Sequence, residues 1–153
     1  MQLKIIKAVS FFRRIQKMEE FLKTIPVTIS KLQTNPDIPV TIVLGNESCD
    51  LDSAVSSVAF SHFLSFHTLS LPFLNIPRED VPLRTEVIHS IGSKNVENIP
   101  TRDDLDLLLL TNLTLILVDH HILAKHYENL ISRVVQIIDH RQIMAEFCDK
   151  VSD

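Results

Sequence analysis

The sequence predicts an α/β fold, a parallel sheet flanked by helices, and three observations predict it. Pro39-Val40-Thr41-Ile42-Val43-Leu44, Leu113 to Val118 and Val134 to Ile138 are short, nearly continuous apolar runs, which is how strands buried on both faces read. Between such runs lie segments with apolar residues at helical spacing, as in Ser53 to Phe66, where Val55, Val58, Ala59 and Phe63 recur. Strand and helix therefore alternate, an order that favours parallel pairing through helical crossovers. At 153 residues, 45% hydrophobic and 22% charged, the chain has the size and composition of one compact core.

The first seventeen residues carry Lys4, Lys7, Arg13, Arg14 and Lys17 with no acid, among apolar Leu3, Ile5, Ile6, Val9, Phe12 and Ile15. This basic amphipathic segment reads as an extension; a mitochondrial targeting peptide is the second reading, disfavoured by the scarcity of serine. Weak helical spacing runs from Met18 to Leu32 and breaks at Thr34, Asn35, Pro36 and Asp37, so residues 1–37 are assigned to the extension and 38–153 to the domain proper. The first strand, Pro39 to Leu44, closes at Gly45, and the helix over Ser53 to Phe66 is expected to be capped by Asp52 or Ser53. Leu69 to Leu74 reads as a second strand. Val81 to Ile91 reads as a helix with Pro82 in its first turn, where the missing N–H is harmless. Leu113 to Val118 is too short for a typical helix and reads as a buried strand, Ile122 to Ile131 as a helix, and Val134 to Ile138 as the last strand.

Composition removes several function classes. With only 2 glycines, neither glycine-rich nucleotide fingerprint can be present. A formal charge of -4 disfavours binding to duplex nucleic acid. Cys49 and Cys148 are far apart and lack a C-x-x-C partner, which excludes a zinc knuckle or a disulfide framework and points to a reducing cytoplasm. The most apolar stretch, Leu105 to Val118, is interrupted by Asp106, Thr111, Asn112 and Thr114 and falls short of the roughly 20 apolar residues that span a bilayer. No membrane partner is expected.

Three polar clusters each follow an expected strand: Asn46 to Ser53 (NESCDLDS), Asp119-His120-His121 and Asp139-His140-Arg141. In a parallel sheet such clusters share the carboxyl edge, where open α/β folds bind ligands. Carboxylates gathered there repel one another unless a cation intervenes, and carboxylate with imidazole suits Mn²⁺ or Mg²⁺. Two such ions about 3.5–4 Å apart would supply a hydroxide nucleophile and a clamp for a phosphoryl oxygen. Hydrolysis of a phosphoester or phosphoanhydride follows from that chemistry.

At these residues the chain resembles the DHH phosphoesterase superfamily, and more closely its Prune branch of exopolyphosphatase and phosphodiesterase-like hydrolases. Gly45 to Ser53 (GNESCDLDS), Leu74 to Arg78 (LNIPR), Leu113 to Leu123 (LTLILVDHHIL) and Ile138 to Arg141 (IDHR) carry the resemblance, which runs from about Met18 to about Arg141. It implies a Rossmann-like domain of the DHH type and a two-metal site. Asp50 and Asp52 match the D-x-D motif, one carboxylate for each ion, and Asp119 matches the aspartate that bridges both. His140 matches a ligand of the second ion. Asn46 stands where related pyrophosphatases have a histidine ligand, which implies weaker hold on the first ion. His120 and His121 would face the substrate or support the ligands, and Arg141 would pair with a phosphate oxygen.

The resemblance also implies a later aspartate on the second ion and a carboxy-terminal substrate domain of the DHHA2 type. Neither has a counterpart before Asp153, so the expectation is a truncated member with its second metal site incomplete. A small phosphate-containing substrate is the implied partner. The rival expectation is a catalytically weak Prune-like module that binds a protein partner. Asp103, Asp104 and Asp106 read as solubilising a helix start, Arg78 and Arg84 as surface or capping residues, and His62, His67, His89 and His126 as core-edge or solvent positions.

Overall fold

The computed structural model describes residues 2–141, with side chains from Lys17 onward. The targeting reading of the first seventeen residues falls largely outside the described side chains, and Cys148 outside the described residues. Four strands, β1 (Val40–Leu44), β2 (Ser70–Phe73), β3 (Leu113–Val118) and β4 (Val134–Ile138), form one sheet in the order β2-β1-β3-β4. Every neighbouring pair is parallel. Parallel pairing needs a crossover between partners. Helix α2 (Leu51–Leu64) supplies it from β1 to β2, and α3 (Thr85–Ile91) and α4 (Ser93–Val96) lie on the long route from β2 to β3.

The sheet's interior strands are apolar because both faces are covered. Ile42, Val43, Leu44, Leu115 and Leu117 are fully buried, and Leu71 and Phe73 join them from β2. The first helix, α1 (Gln2–Thr34), sends Leu22, Ile25 and Leu32 into the same core, a spacing of three and seven residues that lines one helical face. β4 differs. It stands at the sheet's edge among the described residues, and Val135 is 65% exposed.

Several expected elements shift. The strand expected over Pro39 to Leu44 begins one residue later, at Val40, because Pro39 has no N–H to give a ladder, and the strand expected over Leu69 to Leu74 is shorter by one residue at each end. The helix expected over Val81 to Ile91 divides into a 3-10 segment, Arg78–Leu83, and α3, with Pro82 inside the 3-10 segment instead of in the first turn of an α-helix. The helix expected over Ile122 to Ile131 is also 3-10, Lys125–Arg133. The cap of α2 is neither Asp52 nor Ser53. Asp50 takes that place, its Oδ1 accepting from Ser53 N at 3.1 Å, so the helix begins two residues earlier than expected. Arg78 is not a loose surface group: it donates to Ile99 O at 2.7 Å and pairs with Asp104. Asp104 also accepts from Thr101 N and Oγ1. Asp106 does start a short 3-10 segment, Leu107–Leu109, by accepting from Leu108 N. No described helix is long and apolar enough to cross a membrane.

Candidate metal centre

The strand order reverses between β1 and β3: the chain leaves β1 toward β2 on one side and β3 pairs on the other. That reversal opens a crevice outside the carboxyl ends of β1 and β3. The residue after Gly45 at one lip is Asn46, and the residue after Val118 at the other is Asp119. They meet directly, Asn46 Nδ2 donating to Asp119 Oδ2 at 2.8 Å.

The loop that carries Asn46 is shaped by its own hydrogen bonds. Asn46 Oδ1 accepts from Ser48 Oγ at 2.7 Å and Cys49 N at 2.9 Å, while Asn46 N donates to Ser53 Oγ at 2.7 Å. Cys49 takes a positive φ of 47° to close this turn. Gly45 is required beside it, because a Cβ there would lie 2.4 Å from Ser53 Oγ. Burial pushes the Cys49 thiol up to about 11, so it is an inert part of the turn.

Asp119 is 7% exposed and sits at φ 59°, with its N–H on Ile138 O at 2.8 Å. A non-glycine residue in that region is uncommon and costs energy, which here turns the carboxylate over the sheet edge. Register explains its neighbours. Val118 faces Ile138 across the β3–β4 pair, so Asp119 and Asp139 are the next residues on adjacent parallel strands. His140 Nε2 lies 3.3 Å and Arg141 Nη2 3.4 Å from Asp119 Oδ1, and Arg141 Nη1 donates to the Asp119 carbonyl.

Asp119, Asp139 and His140 each present one ligand atom, and all three atoms lie within 4.8 Å of one another. Two carboxylate oxygens and an imidazole nitrogen converging at this spacing fit a divalent cation of the Mn²⁺ or Mg²⁺ kind. Asp50 and Asp52 stand outside this triad. Asp50 is half-buried and close enough for its charge to act on Asp119, while Asp52 is exposed on the first turn of α2. Asp139 was not singled out as a ligand from the sequence, yet it was legible: it follows β4 as Asp119 follows β3.

Electrostatics divide the acids. Burial pushes the Asp119 carboxyl up and the charge of Asp50 adds to this, outweighing Arg141 and His140. Burial alone would raise Asp139 too, but the hydrogen bonds from His121 and from Arg141 N, with the charges of both side chains, hold it below the usual range. His121 Nδ1 lies 2.6 Å from Asp139 Oδ2, which fixes the ring's orientation. His120 is buried with Nδ1 3.0 Å from Val118 O. A carbonyl only accepts, so Nδ1 carries the proton and Nε2 holds a lone pair. Burial keeps this imidazole below its ordinary pKa, hence neutral at pH 7, and Nε2 has no hydrogen-bond partner among the described residues.

No family model matches the chain. It is 40% identical over 119 residues to human (Homo sapiens) exopolyphosphatase PRUNE1, a match covering 72% of this chain and 26% of that protein. The rat (Rattus norvegicus) exopolyphosphatase PRUNE1 is 36% identical over 140 residues, 86% of this chain and 30% of that one. Protein prune homolog 2 of Mus musculus is 35% identical over 132 residues, 80% of this chain and 4% of that protein. The chain thus spans between a quarter and a third of the length of these two exopolyphosphatase relatives.

Proposed function

Because the chain belongs to the Prune branch of the DHH phosphoesterases over the segment it shares with these relatives, we propose that it is a metal-dependent phosphohydrolase of short-chain polyphosphate or phosphodiesters, with residues 38–153 as its catalytic portion and the cytoplasm as its compartment. The observation that carries this reading is Asp119, buried at the β1–β3 crevice and ringed by Asn46, Asp139, His140 and Arg141.

Asp119 would serve as the ligand shared by two Mn²⁺ or Mg²⁺ ions, with Asp50 and Asn46 on the first and His140, Asp139 and Asp52 on the second. When bound, such ions supply a water acidic enough to attack at neutral pH and positive charge against phosphoryl oxygens. The protein's own groups do the rest. Asn46 holds Asp119 Oδ2 in place, so that Oδ1 faces His140 and Arg141. Arg141, held against Asp119 by both terminal nitrogens, would turn its remaining N–H donors to a phosphate oxygen. His121, its ring oriented by Asp139, is the group placed to give a proton to the leaving oxygen. His120, neutral and buried, offers an acceptor at Nε2.

A second reading, a catalytically weak Prune-like module that engages a protein partner, is favoured by one observation. The Asn46 amide is already committed at both ends, to Asp119 and to the Ser48–Cys49 turn, and has less to offer an ion than a histidine would. Phosphate release from tripolyphosphate in Mn²⁺ decides between them, with Asp119→Asn as background. Turnover that falls to background in the variant supports the hydrolase; release equal in both proteins overturns it.

A further inference from the structure

Arg102 stands outside the metal centre yet beside it. Its Nε donates to Asn75 Oδ1 at 3.0 Å and its Nη2 to Glu47 Oε1 at 2.8 Å. Asn75 follows β2 and is 1% exposed, so a neutral, buried acceptor pins the guanidinium from behind without using its outer fork. The backbone beneath is fixed as well, Arg102 N donating to Ile76 O at 3.2 Å and Leu74 N to Pro100 O at 2.9 Å. The charge partner among the described residues is different in kind. Glu47 has a side chain 57% exposed, against 26% for Arg102, and Nη1 of Arg102 has no partner among the described residues.

Glu47 also locates this cation. The residue before it, Asn46, donates to Asp119 Oδ2, so the loop after β1 that pairs with this guanidinium is the loop that reaches the carboxylate cluster. His126 is near enough for the charges of Arg102 and Glu47 both to act on its imidazole. A surface ion pair with one exposed partner contributes little to stability, whereas an arginine fixed at Nε and tied at Nη2 only to an exposed carboxylate is prepared for an oxyanion.

We propose that Arg102, held by Asn75, is an anion-binding subsite that takes a second phosphate of an inorganic polyphosphate whose terminal phosphate lies at Asp119, and that Glu47 occupies the fork until the anion displaces it. The inference rests on the phosphohydrolase reading and deepens it. Two cationic positions, one at Asp119 and one at Arg102, fit a chain of phosphates better than a diester, which has one.

The test is calorimetric titration of sodium tripolyphosphate and of orthophosphate into the chain in the presence of Mg²⁺, so that the cation the terminal phosphate needs at Asp119 is supplied. Arg102→Gln weakens tripolyphosphate binding by at least about tenfold, and Glu47→Gln tightens it by about threefold, because the competing carboxylate is gone. Arg102→Lys falls between wild type and Arg102→Gln. A purely structural tie predicts no tightening in Glu47→Gln, so that variant decides the matter even if Arg102→Gln fails to fold. Equal affinities in wild type and Glu47→Gln overturn the subsite. Because affinity is read and not phosphate release, the outcome is separate from catalysis. Binding that survives Asp119→Asn and depends on Arg102 stands even if the chain hydrolyses nothing. Mn²⁺-dependent hydrolysis with tripolyphosphate binding indifferent to Arg102 and Glu47 would keep the hydrolase and remove the subsite.

Discussion

Asn46 uses both ends of its amide, the nitrogen on Asp119 Oδ2 and the oxygen on Ser48 Oγ and Cys49 N. It therefore ties the β1 loop to the end of β3 whatever else it binds. Asn46→Ala leaves the buried Cys49 N–H without this acceptor and frees the Asp119 carboxylate, and is expected to cost about 1–3 kcal/mol of stability. Chemical denaturation measures it; a loss under about 0.5 kcal/mol would mean the turn does not need the amide. From the sequence, Asn46 was legible as a site residue but not as a bracket, because a hydrogen bond between segments so far apart in the chain depends on strand order. Asp104 shows the same limit. It reads as a solubilising acid, yet Thr101 and Arg78 converge on it, and nothing in the local spacing announces Arg78 as its partner.

At the scale of elements, Asp50 has two offices that a pair of substitutions separates. As the cap of α2 it accepts from Ser53 N, a role that asparagine fills as well as aspartate does. As the metal ligand proposed above it would contribute a charge that asparagine lacks. Asp50→Asn should leave the melting temperature nearly unchanged while weakening Mn²⁺ binding about tenfold or more. Asp50→Ala should lose both, with about 1 kcal/mol of stability gone. Thermal melts beside Mn²⁺ calorimetry check the pair, and unaltered Mn²⁺ affinity in both would remove Asp50 from the site. The existence of β1, β3 and β4 was legible because continuous apolar runs have few other uses in a chain of this length. The boundaries and helix types were less so. Pro82 and the polar sequence Lys125 to Arg133 admit either an α or a 3-10 geometry, and tertiary packing decides.

Across the whole molecule, stability should respond to pH through the buried imidazole. His120 has a folded pKa held below its unfolded value near 6.5 by burial. The unfolded chain therefore binds a proton that the folded one refuses, so the stabilisation is full above about pH 6.5 and is lost progressively as pH falls toward the folded value. His62 and His126, also lowered chiefly by burial, act with the same sign but are less enclosed. Unfolding midpoints in denaturant should fall between pH 7.5 and pH 5, and His120→Gln should flatten that slope. An unchanged slope would place the dependence elsewhere.

The parallel pairing also orders events in time. β3 and β4 meet across a short connection, with Leu115 opposite Val134, and β1 meets β2 across a moderate one, with Thr41 opposite Ser70. Val40 finds Leu113 only across the longest intervening stretch of the sheet, and closing a longer loop costs more entropy and slows folding. The two halves of the sheet can each form before they join, and the seam between them is where Asn46 reaches Asp119. Cation binding is then a reporter of the last kinetic step. In stopped-flow refolding with Mn²⁺ present, far-ultraviolet ellipticity should recover ahead of metal capture, with capture confined to the slowest phase.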